Sequence, residues 1–232
     1  MKNILWLILL WALMPFAHGA EKRFTVTVVD VRREQLALFL NDEAGQPFKD
    51  FARLSSWLEG RGKKLSFAVN AGMYHADFSP VGLLVQEGRQ AAPLNLDDGV
   101  GNFFMKSNGV FLVTSRGPRV VAAAEYARIK GPVLLATQSG PLLLRNGVMH
   151  PAFRADATSR HIRNGVGVKG GKALFVISEE PVTFYELAAF FRDQLKCRDA
   201  LYLDGSISSM YSSKWKRMDA RAHLGPILGV LR

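Results

Sequence analysis

The sequence predicts an α+β fold: a single β-rich domain, a hairpin-built mixed sheet with a few packed helices. Three observations carry this expectation. From Leu65 to Val168 short apolar runs are cut by turn dipeptides. Two segments repeat apolar residues at helical spacing. Strands and helices do not alternate as a doubly wound parallel sheet requires. The chain has 232 residues, 48% hydrophobic and 22% charged, which suits one globular domain and excludes a disordered chain.

The elements follow in order. Lys2 precedes the apolar run Ile4–Met14, and small residues stand at Ala17 and Gly19. This is the grammar of a secretory signal peptide. The run is short against the roughly 20 residues of a membrane span. The expectation is a leader over 1–19, a domain over 20–232, and a periplasmic or secreted protein with no stable membrane insertion after cleavage. The competing reading is an uncleaved anchor.

Phe24–Val31 alternates and is β-branched, so it reads as a strand, with Leu36–Leu40 as its expected partner. Phe48, Phe51, Leu54 and Leu58 fall near one helical face, with Pro47 suited to the first turn and Gly60 to the stop. Asn-Gly pairs at Asn108, Asn146 and Asn164, with Glu-Gly at Glu87, read as hairpin turns. Ala173–Ser178 reads as a strand. The segment Thr183–Leu195 then opens on a capping box, Thr183 with Glu186. Strands at Ala200–Leu203 and Ile227–Leu231 complete the chain.

The formal charge is +10, from 30 basic and 20 acidic residues. That balance favours anionic partners. No basic run forms a nucleic-acid arm, and none is expected. Cys197 is the single cysteine, so no internal disulfide exists. Lying between a helix and a strand, it reads as a buried structural thiol.

Two strands end on a polar residue followed by a small-residue turn: "SFAVNAGMY" and "ALYLDGSISSMY". Such a turn pushes its polar residue out of the core, and its amides can form an anion-binding concavity. Asn70 and Gly72 stand in the first turn; Asp204, Gly205, Ser206, Ser208 and Ser209 stand in the second. A third segment, "TQSGPLLLRNG", presents Ser139 and Gly140. A fourth, "TSRHIRNGVGV", clusters Arg160, His161 and Arg163 before a glycine-rich strand. Arginine forks match phosphate oxygens. His161 alone reads as a surface residue. Each motif also fits an ordinary turn.

Together and in this order, the elements "NAGMY", "SPVGLLVQEG", "SGPLLLRNG", "RNGVGV" and "LDGSISSMY" resemble the phosphodiester glycosidase family, most closely its small bacterial exported members. The resemblance runs from about Leu65 to the C-terminus. Where the family often has Asn-Gly-Gly, this chain has Asn70-Ala71-Gly72. Where it often has Asp-Gly-Gly-Gly-Ser, this chain has Asp204-Gly205-Ser206-Ile207-Ser208. The resemblance implies a secreted hydrolase that cleaves the C1–phosphodiester bond of an anionic sugar-phosphate substrate. It implies Asp204, Arg163 and Asn70 as catalytic residues. Gly72, Ser139, Gly140, Gly205, Ser206, Ser208 and Arg160 are the implied substrate-binding residues.

In that chemistry the phosphodiester already leaves well. The site must hold its charge and stabilise an oxocarbenium-like centre. Arg163 suits the phosphate, Asp204 a base or electrostatic stabiliser, and Asn70 orientation. Glu179 and Glu180 are alternative carboxylates. His75, Asp77 and Asp204 could bind a divalent cation, but they form no metal motif, and no cofactor or metal is assigned. Two other readings stay open: a non-catalytic module binding anionic glycan or wall polymer, and a phosphoric ester hydrolase attacking phosphorus. The oligomeric state is open.

Overall fold

The computed structural model describes residues 23–232. The expected leader therefore lies outside the described residues, and so does the start of the expected domain. In chain order the strands are β1 (Phe24–Val29), β2 (Gln35–Phe39), β3 (Leu65–Asn70), β4 (Leu84–Gln86), β5 (Arg89–Ala92), β6 (Gly109–Thr114), β7 (Gly117–Ala122) and β8 (Val133–Ser139). They continue as β9 (Leu142–Arg145), β10 (Val148–Met149), β11 (Asn164–Lys169), β12 (Lys172–Ser178), β13 (Asp199–Tyr202), β14 (Met210–Ser212), β15 (Arg217–Met218) and β16 (Ile227–Leu231). The α-helices are α1 (Phe51–Glu59) and α2 (Phe184–Ala189).

The β-rich fold is as expected, but the mixed sheet is instead three antiparallel sheets. Their orders are β1-β12-β11-β13-β9-β10, β15-β14-β3-β16-β2 and β5-β4-β8-β6-β7. Hairpins join β4 to β5, β6 to β7, β9 to β10, β11 to β12 and β14 to β15, and the neighbours brought together from farther along the chain also run antiparallel. Val166, Phe175, Leu201, Val69, Leu228, Phe111 and Leu135 come from all three sheets and pack in one central core. On β12 the period of two is explicit: Phe175 and Ile177 face that core, while Leu174 and Val176 face α2.

Each helix covers the outer face of one sheet. Asp50 caps α1 by accepting from the Arg53 amide at 2.7 Å, and Phe51, Leu54 and Leu58 are buried against β3 and β16. Burying each such side chain stabilises by roughly 1.5–3 kcal/mol. In α2 both hydrogen bonds of the Thr183–Glu186 capping box form. The helix continues as a π turn over Phe190–Gln194. On β11, added Cβ atoms at Gly165 and Gly167 would lie 3.2 Å and 2.8 Å from the Phe191 ring. The two glycines let the helix lie close on the sheet.

Several expectations change. Strand β1 pairs with β12, not β2, and β2 pairs with β16. Between them Asp30 binds Arg32 and turns the chain from one sheet into the next. Pro47 forms a bridge with Asn41 instead of opening the helix, because Asp50 supplies the cap. Asn146-Gly147 and Glu87-Gly88 are tight turns with positive φ, as expected. Asn108-Gly109 and Asn164-Gly165 are not turns. Gly109 and Gly165 lie inside β6 and β11, where side chains would meet Leu142 and Leu201. Cys197 is buried, and burial pushes its thiol up to about 11. Among the described residues no helix is long and apolar enough to cross a membrane.

Candidate active site

Strands β3 and β13 belong to different sheets, yet their C-terminal ends meet. The Asp204 amide donates to the Ala71 carbonyl at 3.1 Å, and the Leu203 amide donates to Asn164 at 3.1 Å. At this seam sits a buried amide network. The Asn70 Nδ2 donates to the Asp204 carbonyl at 2.6 Å. The Asn70 Oδ1 accepts from Asn164 Nδ2 and from the Ser209 amide, each at 2.9 Å. The Ser208 hydroxyl donates to Asn164 Oδ1 at 3.0 Å. Asn70, Asn164, Ser208 and Ser209 are all buried. A satisfied network of this kind fixes a single geometry, because any unpaired member would cost its full desolvation.

The network holds the turn that carries Asp204. Gly205 and Ser206 belong to the short 3-10 turn Gly205–Ile207 that follows. An added Cβ at Gly205 would stand 1.5 Å from the Tyr202 hydroxyl, so only glycine fits. Burial pushes the Tyr202 phenol up to about 12; Arg163 pulls it down and the Asp204 charge pushes it further up. Burial also raises the Tyr74 phenol, with the Asp204 charge second. The charge of the half-buried Asp204 is thus felt by two phenols. Tyr74 is in turn held by its hydroxyl, which donates to the His223 carbonyl at 2.5 Å.

Arg163 lies behind Tyr202. It is buried, and its guanidinium is centred 3.8 Å from the Phe184 ring centroid. It donates to the Val182 carbonyl at 2.8 Å, to the Tyr202 hydroxyl at 3.2 Å and to the Ser159 carbonyl at 3.2 Å. These three partners are neutral, so the buried charge is solvated by dipoles.

The structure therefore joins Asn70, Asp204, Gly205, Ser208 and, through Tyr202, Arg163. Other expected site residues stand apart. Arg160 pairs with Glu186 at 2.9 Å on the surface. The Gly72 amide donates to Thr137 Oγ1 at 3.1 Å, so Gly72 abuts β8. Ser139 ends β8; its hydroxyl is buried and without a partner among the described residues. Gly140 is pressed against Phe103 and Asn108. Glu179 binds Arg217 at 2.6 Å, and Glu180 pairs with Arg23. Asp77 accepts from the Ser79 amide and hydroxyl, which with nearby His75 hold its carboxyl below the usual range. Among the described residues no group of three His, Cys, Asp or Glu side chains could hold a metal ion.

Sequence reasoning missed Asn164, Tyr202 and Tyr74 as site residues. Asn164 was hidden by its Asn-Gly turn signature. Tyr202 offered one signal, a lone polar atom at the end of the apolar run "ALYLD".

A sheet seam thus presents one carboxylate over a glycine turn, with a buried arginine behind Tyr202, on a β-rich fold. The chain belongs to the phosphodiester glycosidase family, whose profile matches residues 63–230. It is 34% identical over 184 residues to the uncharacterized protein YigE of Escherichia coli (strain K12), covering 79% of this chain and 72% of that one. Its fold is similar to the zebrafish N-acetylglucosamine-1-phosphodiester alpha-N-acetylglucosaminidase catalytic domain auto-inhibited by its pro-peptide. That match has a TM-score of 0.62 at 13% identity, over 92% of this chain and 85% of that one. A hypothetical protein from Synechocystis matches with a TM-score of 0.53 at 13% identity, over 90% of this chain and 59% of that one.

Proposed function

We propose that the protein is a hydrolase acting outside the cytoplasm that cleaves the C1–oxygen bond of a sugar-1-phosphodiester. Family membership supports the class of reaction. The observation that carries the site assignment is Asp204, held on its turn by the Asn70 network with the positive charge of Arg163 behind Tyr202. In this reading Asp204 stabilises positive character at C1 or takes a proton from the attacking water. Asn70 and Asn164 keep the turn fixed, so no reorganisation is needed at the moment of reaction. The group that leaves is a phosphate monoester, a stable anion that needs little acid assistance. Arg163 acts through its field and through Tyr202, which places it as a positioning residue. Ser208 hydrogen-bonds Asn164, and that bond places its hydroxyl in support of the turn.

The test uses the purified protein with an N-acetylglucosamine-1-phosphodiester in water labelled with heavy oxygen. Label in the sugar hydroxyl at C1 is the expected result. Label in the phosphate would transfer the site to a phosphoric ester hydrolase. Binding without any turnover would leave a glycan-binding module.

A further inference from the structure

The end of the first sheet away from Asp204 carries a cleft of about 520 Å³. Five cations line it: Arg119, Arg145, Lys169, Lys196 and Arg198. Two acids share the lining, and both are engaged. Glu125 pairs with Arg145, and Asp199 accepts from the Asn146 amide at 2.9 Å. Arg119, Lys169, Lys196 and Arg198 are exposed and form no ion pair among the described residues. Many arginines elsewhere on this protein do pair with carboxylates, among them Arg23, Arg53, Arg61, Arg154 and Arg217.

The rim is built, not loose. The Gly147 amide donates to the Arg198 carbonyl at 2.7 Å, which ties the tight turn at Asn146 to the segment before β13. Lys196 holds φ at +56°, a left-handed conformation that is costly for a side chain with a Cβ. It follows the π turn Phe190–Gln194 and precedes Cys197, whose amide is fixed on Phe191 at 2.9 Å. Glycine is the usual residue for such a helix end. Here a lysine occupies it and brings its charge to the cleft.

We propose that this cleft is a second binding site, which holds a linear polymer bearing repeated phosphodiester anions. A concave cationic cleft focuses the field felt by anions, and its four unpaired cations exceed the single charge of one phosphodiester, which suits a ligand of repeated anions. Asn164 opens β11 at the candidate active site, and Lys169 ends it at the cleft. At ~3.3 Å per residue the two regions lie about 16 Å apart along the strand. The cleft therefore retains polymer without contacting the bond that is cut. The inference rests on the proposed function only for the identity of the polymer as substrate.

The test uses long-chain inorganic polyphosphate as probe, the intact protein, and the double variant Lys169→Glu, Arg198→Glu. A control carries Arg89→Glu with Lys130→Glu, the same change in charge on exposed residues elsewhere. The expected result is salt-sensitive binding by the parent protein, weakened about tenfold or more by the cleft variant and far less by the control. Thermal melting reports whether the cleft variant is folded, and the single changes Lys169→Gln and Arg198→Gln provide milder versions. Equal loss in control and cleft variants would reduce the cations to general surface charge and overturn the site. Binding to anionic phospholipid vesicles without binding to polyphosphate would overturn the polymer in favour of a lipid surface. Cleavage of a small sugar-1-phosphodiester is a separate readout, expected to be unchanged in the cleft variant. If polyphosphate binding is lost as expected while no variant or parent cleaves any diester, the cleft stands and the proposed function falls.

Discussion

The Asn70 side chain donates its amide hydrogen to the Asp204 backbone carbonyl at 2.6 Å, across 134 positions of sequence. One asparagine at the end of β3 thus fixes the turn at the end of β13. Asn70→Ala removes the acceptor of the buried Ser209 amide and a donor to the Asp204 carbonyl, and leaves Asn164 Nδ2 with only the Asn70 backbone carbonyl at 3.3 Å. Each orphaned buried group costs about 1–3 kcal/mol. The variant is expected to unfold at clearly lower urea than the parent. A melting curve unchanged from the parent would show that the network carries no stability.

Asp204→Asn keeps the size and the backbone contacts of the turn. It removes the charge that also raises the Tyr74 and Tyr202 phenols. Turnover of a sugar-1-phosphodiester is expected to fall by about 10²–10⁴-fold, with thermal melting close to the parent's. Turnover at the parent rate in a normally folded variant would make Asp204 a turn residue only.

Arg163→Ala and Arg163→Lys are expected to separate charge from shape. The alanine variant removes the side-chain donor to the Ser159 carbonyl, one of the two donors to the Val182 carbonyl, which keeps the His161 amide, and the Tyr202 hydroxyl's guanidinium contact. It should lose stability by about 2 kcal/mol or more as well as activity. The lysine variant keeps a cation but not the fork. It should melt nearer the parent and retain intermediate turnover. Equal damage in both would assign Arg163 to packing on Phe184 rather than to its field.

Glu186 gives a pH signature. Burial pushes its carboxyl up, but hydrogen bonds from Arg23, the Thr183 amide and Arg160 outweigh burial and hold it down at about 2. Because the folded pKa lies below the unfolded value, the stabilisation is present at neutral pH. It fades as pH falls from about 4.5 towards about 2. Glu186→Gln is expected to melt lower than the parent at pH 7 and to approach it in strong acid. The comparison is a set of thermal melts across that range. A constant difference at every pH would remove the ion-pair explanation.

Local chemistry in the sequence reaches as far as local chemistry goes. The Thr183–Glu186 capping box, the Asn146 and Glu87 turns and the Ile227–Leu231 strand are set by neighbouring residues, and they stand where expected. Pairing across the chain is different. The backbone edge of β1 is paired by β12 more than a hundred residues away, and nothing local distinguishes that partner from β2. The site divides in the same way. Asn70 and Asp204 are visible because each ends an apolar run. Asn164 carries the same dipeptide as a true hairpin turn, and only the seam between two sheets reveals that its side chain is used inward.

Strand β16 lies inside its sheet, with β3 on one side and β2 on the other. Ile227 stands beside Asn70, and the Ala71 amide donates to the Pro226 carbonyl at 2.8 Å. The keystone of this sheet is thus the strand after Pro226: without it β2 and β3 lose their shared partner and the asparagine hinge of the site loses its support.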